Sequence, residues 1–571
     1  MRYFCLACDY DGTLAEEGTV SATTLAALVR LKTSGRRLIL VTGRELDDLL
    51  QVFPENSIFE RIVAENGALL YCPSSRDTKM IGEAPPPAFI DALRERHVEP
   101  LSIGRSIVAT EESQDARVLE IIRHLGLELQ VIYNKGSVMI LPSGVNKATG
   151  LLAALSELGL SEHNAVAVGD AENDHALLNI CECRVAVANA VTTLKERADM
   201  TTTAPSGKGV EQLIDKLLDN DLEDVETRRA RSHVLLGNSP DGREVEIQSY
   251  GTSLIIAGPS ASGKTTVVRS IVERLLESEY QVCLIDPEGD YDDLETVITL
   301  GSSARAPDIT EVFQLLQKPK TSVGVNLVGS PMPDRPLFFG KLLPKIQELR
   351  ARTGRPHWIV IDEAHHLLPS SWGPVTDMLP DKMTGLILVT VEIGTVLPAV
   401  LKSMTGLIAV GPSPAETIRQ FSHAIGVPRP AYGPRPSRTG EVTIWLVREE
   451  PPRLLSVQVP ADSRDTRRHK RKYAEGRLEP GRSFFFKGPD GKLNLQAYNL
   501  MMFVQMAEGV DVETWLHHLH QGEYSKWIRE AIKDEDLASE VTQIEQNPET
   551  EGTETRKKII EAIQKRYTAS E

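Results

Sequence analysis

Asp9 and Asp11 stand two residues apart where an apolar opening run, Met1 to Cys8, ends. Residues i and i+2 of an extended chain project to the same side. One carboxylate of such a pair can attack phosphorus as a nucleophile while the other shuttles the proton. Gly12 permits the turn that leaves the strand. Taken alone, Asp9-Tyr10-Asp11-Gly12-Thr13-Leu14 also reads as a plain surface turn. Three later pieces weigh against that. Val41-Thr42-Gly43-Arg44 ends the next apolar strand and offers the Thr42 hydroxyl at the same sheet edge. Asn146-Lys147 opens a helical pattern, Ala148–Leu158, closed by Gly159. Asn146 suits an N-cap, and Lys147 there can neutralise a phosphate and a nucleophile that would otherwise repel each other. Gly169-Asp170-Ala171-Glu172-Asn173-Asp174 follows the strand Ala165–Val168, and Asp170 and Asp174 add hard oxygen ligands of the kind Mg²⁺ takes. Each piece falls at the carboxyl end of a strand, where open α/β sheets place their ligands.

A second set of residues handles phosphate in another way. The apolar strand Ser253–Ala257 runs into Gly258-Pro259-Ser260-Ala261-Ser262-Gly263-Lys264-Thr265-Thr266 and then into a helix. This is G-x-x-x-x-G-K-[ST] in its strand–loop–helix setting. Backbone N–H groups of such a loop wrap phosphates at a helix N-terminus. Lys264 reaches the β- and γ-phosphates and Thr265 binds Mg²⁺. The strand His357–Ile361 ends in Asp362-Glu363, which places Asp362 in the metal's water shell and lets Glu363 polarise the attacking water.

The first set of motifs, in this order, resembles the haloacid-dehalogenase-like phosphatases over roughly residues 1–218. The resemblance implies Asp9 as the nucleophile that forms an aspartyl-phosphate, and Asp11 as the acid/base. It further implies Thr42 and Lys147 as holders of the phosphoryl group. Asp9, Asp170 and the backbone carbonyl of Asp11 would bind Mg²⁺, with Asp174 in support. About a hundred residues separate Thr42 from Lys147, and the helices and strands expected there look like the inserted α/β cap of the Cof-type or sugar-phosphatase branch. Such a cap closes over substrate and excludes water; by analogy a sugar phosphate or phosphoglycolate would fit. The P-loop region, with Leu235–Ile247, Ile285-Asp286-Pro287-Glu288-Gly289-Asp290-Tyr291 and Ile361-Asp362-Glu363-Ala364-His365, is similar to the HerA/FtsK-like ATPases. Val389-Thr390-Val391-Glu392 departs from the sensor expected of those motors, so ATP hydrolysis is better supported than translocation.

The elements that must hold these residues suggest three α/β or helical bodies. Residues 1–218 read as a Rossmann-like α/β phosphatase domain with its cap at about 84–143. Residues 219–232 are densely charged and read as a linker. Residues 233–460 read as an α/β P-loop ATPase domain, 461–482 as a basic linker, 483–546 as a small helical module, and 547–571 as a polar tail in which Ile559–Ile563 can form a helix. Neither chemical set needs a residue from the other.

A chain of 571 residues exceeds one core. Its net charge of −17 disfavours a broad nucleic-acid-coating surface without excluding a local basic groove. No apolar run reaches the ~20 residues of a membrane helix, and the opening strand is not a signal peptide, so the expected compartment is the cytoplasm. Of six cysteines, Cys5, Cys8, Cys181 and Cys183 read as buried thiols before they read as a zinc site. The expected cofactors are Mg²⁺ and ATP, and the expected partner is a small phosphorylated substrate. The leading reading is a phosphomonoester hydrolase joined to an ATP-hydrolysing domain. Two others stay open: a nucleic-acid end-processing or DNA-associated ATPase, and an ATP-switched scaffold. Oligomeric state is undetermined by sequence.

Overall fold

In the computed structural model the described residues are 1–227, 233–260, 262–370, 384–429, 440–447, 453–458, 483–532, 534–546 and 552–567. The chain divides into two compact units, one of Met1–Pro259 with Ile271–Gln458, the other of Ser260–Ser270 with Val459–Glu571.

The first unit contains two large sheets. In the amino-terminal one, β1 (Cys5–Asp9), β2 (Arg37–Val41), β3 (Arg61–Ala64), β4 (Leu69–Cys72), β5 (Asp77–Met80), β10 (Ala165–Gly169), β11 (Cys183–Ala186) and β12 (Met200–Thr201) lie in the order β12-β11-β10-β1-β2-β3-β4-β5. The six strands from β12 to β3 are parallel, and β4 and β5 are antiparallel additions. Central strands such as β1 and β10 are buried at every residue, as unbroken apolar runs covered on both faces must be. Cys5, Cys8, Cys181 and Cys183 are buried in this core, where desolvation pushes the Cys5, Cys8 and Cys183 thiols up. Between β5 and β10 an antiparallel sheet of β6 (Ser102–Ile103), β7 (Val108–Glu111), β9 (Ser137–Pro142) and β8 (Leu129–Asn134) packs with helices Pro87–Glu95 and Asp115–Leu125 around its own core of Phe89, Leu93, Val118, Ile121 and Ile140. The stretch read as a linker begins with residues of the first core. Leu222 is fully buried there, and Asp221 pairs with Arg36 and accepts from the backbone N–H of Arg2.

The second sheet holds β13 (His233–Asn238), β14 (Glu244–Gln248), β15 (Ser253–Ala257), β16 (Val282–Asp286), β17 (Val297–Leu300), β18 (Ser322–Asn326), β19 (Trp358–Ile361), β20 (Leu386–Thr390), β21 (Gly406–Val410), β22 (Glu441–Leu446) and β23 (Arg453–Gln458). Its order is β14-β13-β23-β22-β21-β15-β20-β19-β16-β18-β17, parallel from β21 to β17 and antiparallel elsewhere. β20 alone separates β15, which leads into the glycine-rich loop, from β19, which leads into Asp362.

The two sheet systems meet through buried polar groups. Arg355 is fully buried and donates to the carbonyl of Gly159 at the end of helix Lys147–Leu158, to Gln281 Oε1 at 2.8 Å, and to the carbonyls of Leu316 and Gln317. His163 stacks on Tyr280 with ring centroids 3.9 Å apart, and its two ring nitrogens face Glu182 Oε2 and the Ser278 carbonyl. His357 Nδ1 accepts from the Gln281 N–H at 2.9 Å, while Nε2 faces Asn164 Oδ1 at 3.2 Å. An imidazole that accepts at Nδ1 and donates at Nε2 is neutral.

In the second unit the strands Phe484–Phe486 and Leu495–Ala497 pair, and helices from Leu500 onward enclose Phe486, Phe503, Trp515, Tyr524 and Ile528. His518 is buried, where Nε2 accepts from the Lys487 N–H and Nδ1 faces Glu523. The region read as a polar tail carries a helix, Gly552–Tyr567, whose Ile559, Ile560 and Ile563 join this core. Apolar residues three and four apart form one stripe on a helix, and packing that stripe orders a segment that is polar elsewhere.

Burial holds His357 well below the usual imidazole value, and the neighbouring His163, Arg355 and Arg350 push the same way against Glu182. Between its depressed folded value and about 6.5, the unfolded chain binds a proton that the folded chain does not, so stability falls as pH drops below about 6.5, by up to ~1.4 kcal/mol per pH unit. The urea midpoint of the full chain should therefore fall between pH 7 and pH 5, and fall less in His357→Gln. Equal slopes in the two proteins would show that another group carries the pH dependence.

Candidate active site

Parallel pairing brings the first motifs together. Asp9 ends β1 in register with Val41, so Thr42 stands at the end of the neighbouring strand, and Asp170 follows β10 on the other side of β1. Helix Lys147–Leu158 is capped by Asn146, whose side chain accepts from the backbone N–H groups of Ala148 and Thr149. Gly67 makes this approach feasible: a Cβ there would lie 1.9 Å from the Asn146 carbonyl oxygen. Asp174 opens the helix Asp174–Ile180, and its Oδ2 accepts from the N–H groups of Asp170 and Ala171, both at 2.9 Å.

Asp9, Asp170 and Asp174 are all buried, and one oxygen of each lies within 4.8 Å of the others. Lys147 is buried beside them and donates to Asp9 Oδ1 and Asp174 Oδ1, both at 2.6 Å. Thr13 Oγ1 donates to Asp170 Oδ1 at 3.1 Å, and Lys135 pairs with Asp170 Oδ2. Gly12 has φ +80°, and a Cβ there would meet Asp170 Oδ2 at 2.3 Å, so any larger residue would collide with the cluster. Burial, with Asp174 and Asp170 adding to it, pushes Asp9 up to about 8 in spite of Lys147. Burial also raises Asp170, against the pull of Lys135. Burial alone would lower Lys147, but Asp174 and Asp9 outweigh it and raise the ammonium. Three crowded carboxylates with this much unsatisfied negative charge, offering oxygen only, are the donor set a small hard dication fits.

Asp11 behaves differently from the pair geometry expected of i and i+2. Its carboxylate turns to Arg44, which grips it with Nε and Nη2, both at 2.7 Å, outside the three-carboxylate cluster. Arg44 also binds Asp48, and its backbone N–H donates to Thr42 Oγ1 at 3.1 Å. Thr42 itself is fully buried.

At the second motif, the Gly258 N–H donates to the Thr390 carbonyl at 3.3 Å, which ties the start of the loop to the end of β20. Gly258 and Pro259 follow β15; Ser260, Ser262 and Gly263 complete the described loop, and Gly263 has φ +96°. Ala261 lies outside the described residues. Lys264 begins the helix Lys264–Glu277 with its side chain buried, and Thr265 and Thr266 follow in the first turn. Asp362 is buried at the end of β19, and burial, with Asp286 and Glu363 beside it, raises its carboxyl well above the usual range. Glu363 adopts a left-handed backbone, φ 42° and ψ 51°, a conformation costly for a residue with a Cβ. Its Oε2 lies 3.4 Å from His365 Nδ1, and that same nitrogen is 3.4 Å from Thr390 Oγ1. Asp286, at the end of β16, is pushed up to about 7 by burial and by Asp290, although it accepts from the N–H groups of Glu288, Gly289 and Tyr291.

Some site residues carry little signal in the sequence. Arg44 is visible as part of its motif, but its grip on Asp11 is not. Thr13 is an ordinary position after a turn glycine until the fold brings Asp170 to it. Lys135 sits in a hairpin of the inserted subdomain, about 35 residues before Asp170, with no pattern to say which end of the hairpin faces the core.

Residues 6–114 and 93–214 match the haloacid dehalogenase-like hydrolase family, and residues 247–393 match an AAA domain. A phosphoglycolate phosphatase of Saccharolobus solfataricus is 33% identical over 228 residues, 37% of this chain and 91% of the relative. A phosphoglycolate phosphatase of Methanothermobacter thermautotrophicus is 27% identical over 222 residues, 37% of this chain and 98% of the relative. A haloacid dehalogenase-like hydrolase structure from Bacteroides thetaiotaomicron is 20% identical, with a TM-score of 0.34, over 38% of this chain and 99% of its own. Through its amino-terminal third the chain belongs to the haloacid dehalogenase-like hydrolases, and to that hydrolase it joins a P-loop domain of the AAA type.

Proposed function

We propose that the amino-terminal domain hydrolyses a small phosphomonoester through an aspartyl-phosphate, and that the AAA domain binds and hydrolyses ATP. The observation that carries the first half is the buried cluster of Asp9, Asp170 and Asp174 around the Lys147 ammonium. Asp9, Asp170 and Asp174 are the residues that would hold Mg²⁺, with the Asp11 backbone carbonyl beside them. The ion supplies positive charge that offsets the phosphoryl oxygens. Lys147 contributes a second positive charge and holds Asp9 in place by a hydrogen bond. Asp9 then attacks phosphorus, and the ester P–O bond breaks as the new acyl-phosphate bond forms. Asp11 donates a proton to the leaving oxygen and later takes one from the water that cleaves the intermediate. Its carboxylate rests on Arg44 in this structure, so proton transfer requires that pair to open. Thr42 lies at the adjacent strand end, where its hydroxyl can bind a phosphoryl oxygen. The two relatives bearing the name phosphoglycolate phosphatase support a compact substrate of that kind.

In the AAA domain the loop from Gly258 to Thr266 would cradle the triphosphate, with Lys264 on the β- and γ-phosphates and Thr265 on Mg²⁺. Asp362 would hold the metal's water shell, and Glu363 would orient the attacking water.

With p-nitrophenyl phosphate and phosphoglycolate as substrates, Asp9→Asn should lower kcat by at least about a thousandfold in saturating Mg²⁺, because an amide is a far poorer nucleophile. Near-normal turnover by that variant would exclude the aspartyl-phosphate route. Glu363→Gln keeps the shape of the side chain and loses its charge. Steady-state ATPase activity should fall by about a hundredfold or more, while a fluorescent ATP analogue should bind within about threefold of wild type. Parallel loss of binding and turnover would make Glu363 a structural residue.

A further inference from the structure

The hairpin joining β8 to β9 turns through Lys135 and Gly136, both at positive φ, 47° and 81°, with Asn134 paired to Ser137. In such two-residue turns the first position favours Asn, Asp or Gly. A lysine there sits in a backbone region that residues with a Cβ seldom adopt. The ammonium crosses from the inserted subdomain to the catalytic core and pairs with Asp170 Oδ2. Nζ also stands 2.8 Å from where a Cβ on Gly12 would be, so it overhangs the loop that follows the nucleophile. Among the described residues of the inserted subdomain, Lys135 is the one whose charged group reaches the carboxylate cluster. Its side chain is 47% exposed, so one side of the ammonium is open.

A dication held by Asp170 would compete for the oxygen that Lys135 uses, which leaves the ammonium to another anion. A bound phosphoryl group would have Lys147 and the dication as its partners. With Asp9 attacking phosphorus from the core side, the leaving group would lie on the opposite side, toward the inserted subdomain. We propose that Lys135 is a specificity-determining residue that binds a carboxylate on the leaving group, so that the site selects small phosphomonoesters of hydroxy acids over neutral ones. This rests on the phosphatase reading above and names the substrate class of that site.

The test compares kcat/KM for phosphoglycolate and for ethyl phosphate, which is of similar size and lacks the carboxylate, in the full-length wild type, Lys135→Ala and Lys135→Arg. Wild type should prefer phosphoglycolate. In Lys135→Ala the ratio of the two kcat/KM values should fall by about thirtyfold, the effect of losing one charge-assisted hydrogen bond. Most of the fall should lie in KM for phosphoglycolate, and Lys135→Arg should recover much of it. Calorimetric binding of phosphoglycolate to Asp9→Asn should weaken by a similar factor when Lys135→Ala is added, with no turnover involved. Equal losses on both esters, an unchanged ratio, or a wild type without preference for the carboxylate would each overturn the assignment of Lys135. Failure of the phosphatase reading looks different, since wild type would then cleave none of these esters, nor p-nitrophenyl phosphate.

Discussion

The constraint on which the amino-terminal domain depends is the burial of three carboxylates around one ammonium. Asp9 comes from one segment, Asp170 and Asp174 from a second, and Lys147 from a third. Bringing like charges together out of water is costly, and only a paired, hydrogen-bonded arrangement keeps them there. Lys147 bonds two of the three, backbone N–H groups satisfy Asp174, and Thr13 and Lys135 satisfy Asp170. The remaining imbalance is visible in Asp9, held up to about 8. The same imbalance that destabilises the cluster suits it to receive a cation.

The sheet order follows from that requirement. β1 sits centrally between β10 and β2, so the ends of three parallel strands converge at one edge. The AAA domain repeats the plan with β15, β20 and β19, whose ends carry the glycine-rich loop, Thr390 and Asp362. In both, backbone geometry constrains the site. Gly12 and Gly67 occupy places where a Cβ would collide with Asp170 or with the helix N-terminus, and Glu363 accepts a left-handed backbone beside the Asp362 carboxylate.

The two large sheets are joined, at the ends away from the carboxylate cluster and the glycine-rich loop, by buried polar contacts. Gly159 closes the helix that begins with Lys147, and Asn164 precedes β10, which leads to Asp170. Both meet Arg355 and His357, which precede β19 and therefore Asp362. Lys147, Asp170 and Asp362 thus each stand at the far end of an element whose other end lies at the joint. The sequence shows two complete residue sets separated by a charged stretch, and offers no sign of this joint. Arg355 and His357 are a polar pair before a strand, unremarked by any motif, and their partners lie about 190 residues away.

What the sequence determined by itself is which polar and charged residues stand at the strand ends and in the glycine-rich loop. Local rules suffice there: apolar runs of strand length, a glycine or an N-cap after each, and acidic or basic residues at fixed offsets. Those rules give Asp9, Lys147, Asp170 and Asp174, and the loop from Gly258 to Thr266, because each piece is positioned by its own short segment. Tertiary structure decided which neighbours those residues meet. It turned Asp11 away from Asp9 to Arg44, since the guanidinium that follows the adjacent strand β2 grips that carboxylate with two bonds. It drew Leu222 into the first core and Ile559 and Ile563 into the last, because burial of an apolar stripe overrides a polar composition. It also placed Lys135 over Asp170, since the direction of a hairpin depends on how its subdomain docks, and docking is set by contacts between segments distant in sequence.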